Sequence, residues 1–395
     1  MREIILNKTG SLKCYNLPSG LFASDFESSI KSFTPGEWAV FTNKKKGESF
    51  LGFINPLVEG GSPCAYALTK DVNLEPLHLL ETQLIKSWEK RKRITDYNEN
   101  ARMIYGTSDG LPGLIVDAFK NCVVVQINCA GLDKYREELK ESIEKLSKKP
   151  VMLLDNQSYR MAEGLPSFPS SSAVDRLEIQ EGELLFNLDA KQMQKVGFYY
   201  DHRENRRKLK GYLERLDWKP EKALDLFSYL GAWGMTMSLA GVKSVELVDQ
   251  ADFTKLISEN WEANKLEGEF KFHHEDVFNF LKQKSNEGEK YELIVSDPPA
   301  FCKSPKGAKK ALQGYLKLHR ACLKLLEDKS LFAVCSCTRY VDIDSLAQNA
   351  SLAARQEGKR LTLLDIGTQG FDHPSSNFKD NANYLKYLLF YVENL

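Results

Sequence analysis

Two residues in this chain are placed for covalent chemistry: a carboxylate wedged against a double proline, and a thiol that closes a later apolar run. The first is Asp297, in Ile294-Val295-Ser296-Asp297-Pro298-Pro299-Ala300-Phe301. Pro298 and Pro299 offer no N–H and restrict the backbone before them, so a strand stops there and presents Asp297 rigidly. A fixed carboxylate can accept or orient a proton on a heterocyclic base. The second is Cys337, in Val334-Cys335-Ser336-Cys337-Thr338. A thiolate is a strong nucleophile, and methylation of carbon five of a pyrimidine needs one. That carbon becomes nucleophilic only after a thiolate adds to carbon six, and a base must afterwards remove the proton from carbon five. The plainer readings are that the prolines merely end a strand and that Cys335 and Cys337 are small buried hydrophobes, as free cysteines commonly are. Alternation puts Cys335 and Cys337 on one face of a strand, so at most one of them is special. Cys302, directly after Phe301, is a rival nucleophile.

A ligand loop precedes both. The segment Asp225-Leu226-Phe227-Ser228-Tyr229-Leu230-Gly231-Ala232-Trp233-Gly234 ends an apolar strand and enters a helix whose first N–H groups face the loop. Gly231 permits backbone angles and close approaches that a Cβ would block. The glycine spacing is not G-x-G-x-x-G, so a pyrophosphate-binding loop fits poorly and a ligand without phosphates fits better. Asp249 ends the next strand, about 20 residues further on, where an acidic residue can hold ribose hydroxyls. Asp276 ends the third strand, near the place of an adenine edge. Each aspartate could instead cap the helix that follows; their occurrence at consecutive strand ends after the glycine loop favours a cofactor.

The elements that must position these residues alternate between buried strands and amphipathic helices. Strands are predicted at Ala223–Phe227, Ser244–Val248, Phe270–His273, Leu293–Ser296 and Leu331–Cys335, with helices between them at Trp233–Ala240, Phe253–Leu266, Val277–Lys284 and Ala308–Leu326. Leu361–Ile366 and Tyr384–Val392 form a closing pair. Apolar strands separated by helices indicate an α/β fold with a doubly wound parallel sheet, whose ligands lie at the carboxyl ends of the strands. Upstream, residues 1–75 read as a small β-rich domain. Residues 76–172 read as a junction helix, Pro76–Arg93, and an α+β middle domain that ends in a Pro/Ser-rich connector. Residues 173–395 are the expected extent of the α/β domain.

The 395 residues carry 54 Lys+Arg against 54 Asp+Glu, so no global field draws the chain to polyanions and any nucleic-acid surface must be a local patch. Lys303, Lys306, Lys309 and Lys310 follow the double proline directly and are candidate phosphate contacts. The runs Arg203–Lys210 and Lys90–Arg93 can equally be solvated helix faces. Phe301, Tyr199 and Tyr340 are candidates to stack an extruded base. Eight cysteines without CxxC or metal-ligand spacing fit reduced thiols and no metal site. With no signal peptide and no apolar run of about 20 residues, the expected compartment is the cytoplasm.

Several motifs resemble one family over the whole chain: Ser108-Asp109-Gly110-Leu111-Pro112-Gly113, Lys195-Val196-Gly197-Phe198-Tyr199-Tyr200-Asp201-His202-Arg203, Phe227-Ser228-Tyr229-Leu230-Gly231, Asp297-Pro298-Pro299-Ala300-Phe301 and Ser336-Cys337. The chain resembles the ribosomal RNA large subunit methyltransferase I family, of the 5-methylcytosine type. The resemblance implies an N-terminal PUA domain, a middle α+β domain and a C-terminal Rossmann-like methyltransferase domain. It implies S-adenosyl-L-methionine as cofactor, contacted by Lys195, Phe198, Tyr199, Asp201, Arg203, Phe227, Tyr229, Gly231, Asp249, Asp276, Asp297 and Pro298. It implies Cys337 as nucleophile and ribosomal RNA as partner, with no membrane role and a homodimer left open. Two motifs depart from the family pattern. Tyr229-Leu230-Gly231-Ala232-Trp233-Gly234 replaces Tyr-Thr-Gly-Gly, and Cys337 is followed by Thr338-Arg339 where Ser-Gly is usual. The alternatives are methylation of a ring or exocyclic nitrogen, with Cys337 as packing, and an RNA-binding protein without turnover. A nicotinamide dehydrogenase is the weakest, for want of a phosphate-cradling loop.

Overall fold

The computed structural model describes residues 1–58, 61–98, 100–154, 158–166, 173–190, 197–376 and 382–395. Lys195 and most of the Pro/Ser-rich connector fall outside the described residues. Contacts divide the chain into two units: Met1–Gln180 with Leu188–Phe198 and Phe371–Pro374, and Glu181–Asn187 with Tyr199–Gly370 and Ser375–Leu395.

The first unit holds two sheets. A five-stranded one runs in the order Arg2–Ile5, Glu37–Asn43, Glu48–Ile54, Ala65–Thr69, Ser19–Leu21, with only the first pair parallel. A four-stranded one runs Ala101–Tyr105, Leu114–Ala118, Val123–Ile127, Val151–Leu153. Trp38, Leu51 and Phe53 of the former share one core with Leu80, Leu84 and Trp88 of the helix Pro76–Ile94 and with Val116 and Val125 of the latter. Burial of apolar area across both sheets is what makes this one unit rather than two.

The second unit is a seven-stranded sheet. Its strands are β1 (Lys222–Leu226), β2 (Ser244–Asp249), β3 (Glu269–His274), β4 (Tyr291–Ser296), β5 (Leu326–Ser336), β6 (Lys359–Gly367) and β7 (Lys386–Asn394), in the order β3-β2-β1-β4-β5-β7-β6. β1 to β5 run parallel, while β7 is antiparallel to both β5 and β6. Its helices are α1 (Arg203–Arg215), α2 (Ala232–Leu239), α3 (Thr254–Ala263), α4 (Val277–Glu287), α5 (Ala308–Leu325) and α6 (Ile343–Gln356). The α/β, doubly wound expectation is met, including the closing pair. β4 and β5 are buried from Leu293 to Val295 and from Leu331 to Cys335, as strands covered on both faces must be. α5 buries Ala311, Tyr315, Leu318, Cys322 and Leu325, one face at helical spacing, against that sheet.

Among the predicted strands of this sheet, the largest boundary difference is at the start of β5. β5 begins at Leu326, directly after α5, although Glu327-Asp328-Lys329 is polar. Lys329 has a φ of 58°, and the pairing with β4 shifts register between Tyr291 and Leu293. An irregular, solvent-facing strand start carries no apolar alternation and reads as loop. Among the described residues no helix is long and apolar enough to cross a membrane.

Candidate active site

The strand order turns at β1, which has β2 on one side and β4 on the other. In such sheets the crevice outside the carboxyl ends at this switch point is where ligands bind. Register puts Leu226 beside both Val248 and Ser296, so the residues after β1, β2 and β4 reach one rim.

After β1 the chain makes a tight, partly left-handed turn. Phe227 has a φ of 62°, Tyr229 of 48° and Gly231 of 76°. Two of these three are not glycine, and positive φ in such residues persists only where the surroundings impose it. Several bonds impose it here. Ser228 N–H donates to Val248 O at 3.0 Å, Tyr229 N–H to Asp249 Oδ2 at 2.8 Å and Gly234 N–H to Asp225 Oδ2 at 2.9 Å. At Gly231, which leads into α2, a Cβ would stand 2.8 Å from Leu247 Cδ2.

Asp249 also accepts from Ala251 N–H at 2.9 Å through Oδ1. Each of its oxygens keeps a further lone pair, so it shapes the turn and can still accept from a ligand. Asp276 is exposed and caps α4, accepting from Asn279 N–H at 3.0 Å. Tyr199, Tyr229 and Phe253 form an edge-to-face row with centroids 5.2 and 5.0 Å apart. Tyr199 is 46% exposed at its outer end.

Asp297 and Cys337 lie at neighbouring strand ends, since β4 and β5 pair in parallel. Cys337 is half-buried and its Sγ is 3.7 Å from Pro298 O. Asp297 Oδ2 accepts from Trp233 Nε1–H at 3.1 Å, and Oδ1 faces His202 Nε2 at 3.2 Å. The Asn205 amide donates to Thr368 O at 3.0 Å, which fixes its NH₂ end, and that end faces His202 Nδ1 at 3.1 Å. His202 Nδ1 is therefore an acceptor and the ring proton sits on Nε2, toward Asp297. The Nε2 contact is close yet off the line of a full hydrogen bond, so it acts mainly by charge and placement.

Carboxylates outweigh cations in the cleft. Burial first, then Asp297 and Asp249, push Asp225 up to about 8. Burial and the carboxylates of Asp297 and Asp201 push the Cys337 thiol up to about 12, opposed by Lys386. Without a ligand the thiol is protonated at neutral pH, and a cation brought into the cleft relieves both groups. A test follows for Asp225, whose ordinary value is 3.8. A carboxyl raised on folding stabilises the fold below its unfolded pKa, and that stability is lost as pH climbs from about 4 to about 8. Asp225→Asn keeps an acceptor for Gly234 N–H and removes the ionisation. The melting temperature of the ligand-free variant should exceed the parent's by a margin that widens over that window; a constant margin would contradict the assignment.

The remaining predicted residues divide. Asp201 is at the rim, its Oδ2 accepting from Tyr384 O–H at 2.6 Å. Phe227, Tyr229, Gly231 and Pro298 are in the turns just described. Arg203 is 1% exposed, with Nε 3.6 Å from Glu181 Oε2 and its guanidinium over the Tyr200 ring. Arg206 also pairs with Glu181, at 2.5 and 2.6 Å, while Lys208 and Lys210 meet Asp365, Glu183 and Glu214. That basic run is largely tied into internal and surface ion pairs. Phe198 is buried in the first unit. Phe301 is half-buried, one face stacked on Tyr315 at 4.5 Å, and its N–H donates to Thr338 Oγ1 at 3.0 Å. Lys303, Lys306, Lys309 and Lys310 are exposed and make no salt bridge among the described residues. Sequence reasoning missed Asp225, His202, Trp233 and Lys386 as parts of this site. For Asp225 and Lys386 a signal existed, a single charge inside an apolar strand.

No family model matches the chain. A candidate ribosomal RNA large subunit methyltransferase of Methanocaldococcus jannaschii is 30% identical over 322 residues, covering 80% of each chain. The ribosomal RNA large subunit methyltransferase I of Cronobacter sakazakii is 28% identical over 329 residues, again 80% of each. Among solved structures, a candidate methyltransferase complexed with S-adenosylhomocysteine superposes with a TM-score of 0.78 at 16% identity, covering 99% of this chain and 100% of that one. A candidate S-adenosylmethionine-dependent methyltransferase from Streptococcus mutans gives 0.77 at the same identity, with the same coverage of each chain. At that identity the likeness is one of fold.

Proposed function

Because the chain belongs to the ribosomal RNA large subunit methyltransferase I family, we propose that it methylates carbon five of a cytosine in large-subunit ribosomal RNA, with S-adenosylmethionine as cofactor and Cys337 as nucleophile. The observation that carries this reading is the pairing of a half-buried thiol with a hydrogen-bonded carboxylate at adjacent strand ends, beside the left-handed turn at Gly231. A methyltransferase acting on a ring or exocyclic nitrogen needs no thiol there.

The cleft suits a cationic cofactor. The carboxylates of Asp297 and Asp249 help to raise Asp225, and a sulfonium together with an ammonium answers that charge. The cofactor when bound supplies an electrophilic methyl group. The chain supplies the rest. Asp249 and the turn Phe227–Gly231 would hold the ribose and the amino-acid end, and the exposed part of Tyr199 would lie against the cofactor. The Cys337 thiol gives its proton to solvent and Sγ bonds to carbon six of the cytosine; the electron pair of the ring double bond moves to carbon five, which takes the methyl group and leaves S-adenosylhomocysteine. Asp297, oriented by Trp233 and His202, accepts the proton from carbon five. The Sγ–carbon six bond then breaks, the double bond returns and the thiolate is released. The β-rich segment 1–75 serves as a PUA-like RNA-binding domain.

The exposed lysines at 303, 306, 309 and 310 contact RNA phosphates in this reading. Replacing Lys306, Lys309 and Lys310 together by glutamine should weaken RNA binding and lower the slope of log affinity against log salt by about 2 to 3. Cofactor affinity should not change, and an unchanged slope would remove these lysines from the interface. The reaction itself is tested by incubating the protein with methyl-labelled cofactor and undermodified ribosomal RNA, then analysing the nucleosides. Label in 5-methylcytidine is expected; label on nitrogen would overturn the carbon-five reading.

A further inference from the structure

β7 opens with a lysine in an otherwise apolar strand, Leu385-Lys386-Tyr387-Leu388-Leu389. Antiparallel pairing sets Lys386 opposite Ser336, the residue before Cys337. Its side chain is buried, at 7% exposure, and its ammonium donates to Thr338 O at 2.7 Å and Tyr384 O at 2.8 Å. No carboxylate is within salt-bridge distance of it among the described residues. A buried ammonium is costly unless its charge is compensated, and here its direct bonds go to two neutral carbonyls, with Asp342 beyond salt-bridge distance. The groups that face it are Cys337, Asp342 ahead of α6 and Cys302. Those that face Cys337 are Asp297, Asp201, Tyr199, Tyr315 of α5, Cys335 and Lys386 itself. Lys386 is the one cation in that set.

We infer that Lys386 is a positioning residue whose ammonium serves as counter-ion to the Cys337 thiolate, held one residue away by its bond to Thr338 O. The inference rests on Cys337 being the nucleophile of the proposed reaction. On ionisation the thiol proton leaves to solvent through the half-exposed side of Cys337, and the negative charge left on Sγ is met by the Lys386 ammonium. Burial lowers Lys386 to about 8, so the counter-ion is present at neutral pH and lost above that value.

The test is the rate of alkylation of Cys337 by iodoacetamide in the full-length protein, followed by peptide mass spectrometry against pH. No RNA is needed. In the parent the rate should climb with pH and then flatten into a shoulder roughly one unit wide above about 8, where Lys386 gives up its proton. Lys386→Met should react about tenfold more slowly at neutral pH, the equivalent of one unit in the thiol pKa, and should climb without a shoulder. Lys386→Arg, charged throughout, should match the parent at neutral pH and also lack the shoulder. A parent profile with no shoulder, or a methionine variant as fast as the parent, would overturn the inference. The parent profile decides even if a variant does not fold. Failure of the proposed reaction is a separate outcome: the alkylation signature would stand while methyl transfer survived the loss of Cys337.

Discussion

Cys337→Ala should lower methyl transfer to cytosine by at least about a thousandfold while leaving cofactor affinity within a factor of about two. A residue that forms the covalent bond of a two-step reaction is not partly replaceable, and single deletions from such machinery cost orders of magnitude. The substitution removes one sulfur from a half-buried position at the end of β5. It touches neither Asp249 nor the turn at Gly231, so equilibrium titration of S-adenosylmethionine should give nearly the parent curve. Cys302→Ala, on the loop after Phe301, should leave transfer close to the parent's. The reverse pattern would move the nucleophile to Cys302, and retention of transfer in both variants would end the covalent reading.

Asp297→Asn should reduce turnover by about 10² to 10⁴, the usual worth of a positioned acid–base group. Here the kind of failure matters more than its size. The asparagine oxygen can still accept from Trp233 Nε1, so the local structure is kept. Thiol addition and methyl transfer precede proton removal, so the variant should accumulate RNA joined to protein, stable in denaturant. If the variant is slow and no joined species appears, Asp297 acts before or during addition, and proton removal belongs to another group. His202 sharpens the contrast. Its tautomer is fixed by Asn205, so it presents a proton to Asp297 and cannot accept one at Nε2 without changing that arrangement.

The legible parts of this molecule were those in which side-chain periodicity and burial coincide. β1, β2, β4 and the inner part of β5 are apolar runs, and the cap at Asp276 marks where α4 begins, whereas α6, capped by Asp342, was not predicted. In the first unit the strands Glu37–Asn43, Glu48–Ile54 and Ala65–Thr69 fall within a residue or two of the Trp38–Thr42, Phe50–Ile54 and Ala65–Leu68 that the sequence suggests, and the helix Pro76–Ile94 does the same for Pro76–Arg93. Ser19–Leu21 and Ala101–Tyr105 were not predicted, the first being only three residues long and the second having Arg102 in its middle. At the site, Asp297 and Cys337 were legible because a strand end beside a double proline or a terminal thiol leaves a local mark. The pairing of His202 with Asp297, and of Lys386 with the carbonyl beside Cys337, joins residues far apart in the chain. The β5–β7 pairing brings the second pair together and the packing of the turn before α1 the first, and no spacing encodes either. Basic runs were the weakest guide. Arg203 to Lys210 looked like the run at Lys303 to Lys310, yet carboxylates meet most of the former and none of the latter among the described residues.

The central claim, covalent catalysis at carbon five through Cys337, meets its most direct test in RNA that carries 5-fluorocytidine in place of cytidine. Fluorine at carbon five cannot leave as a proton, so the reaction should halt with the RNA bonded to the protein. With S-adenosylmethionine present, the account predicts a denaturant-stable complex whose digestion yields the peptide containing Cys337 linked to a methylated fluorocytidine. No complex, under conditions where unmodified RNA is methylated, or a complex through any other residue, would contradict it.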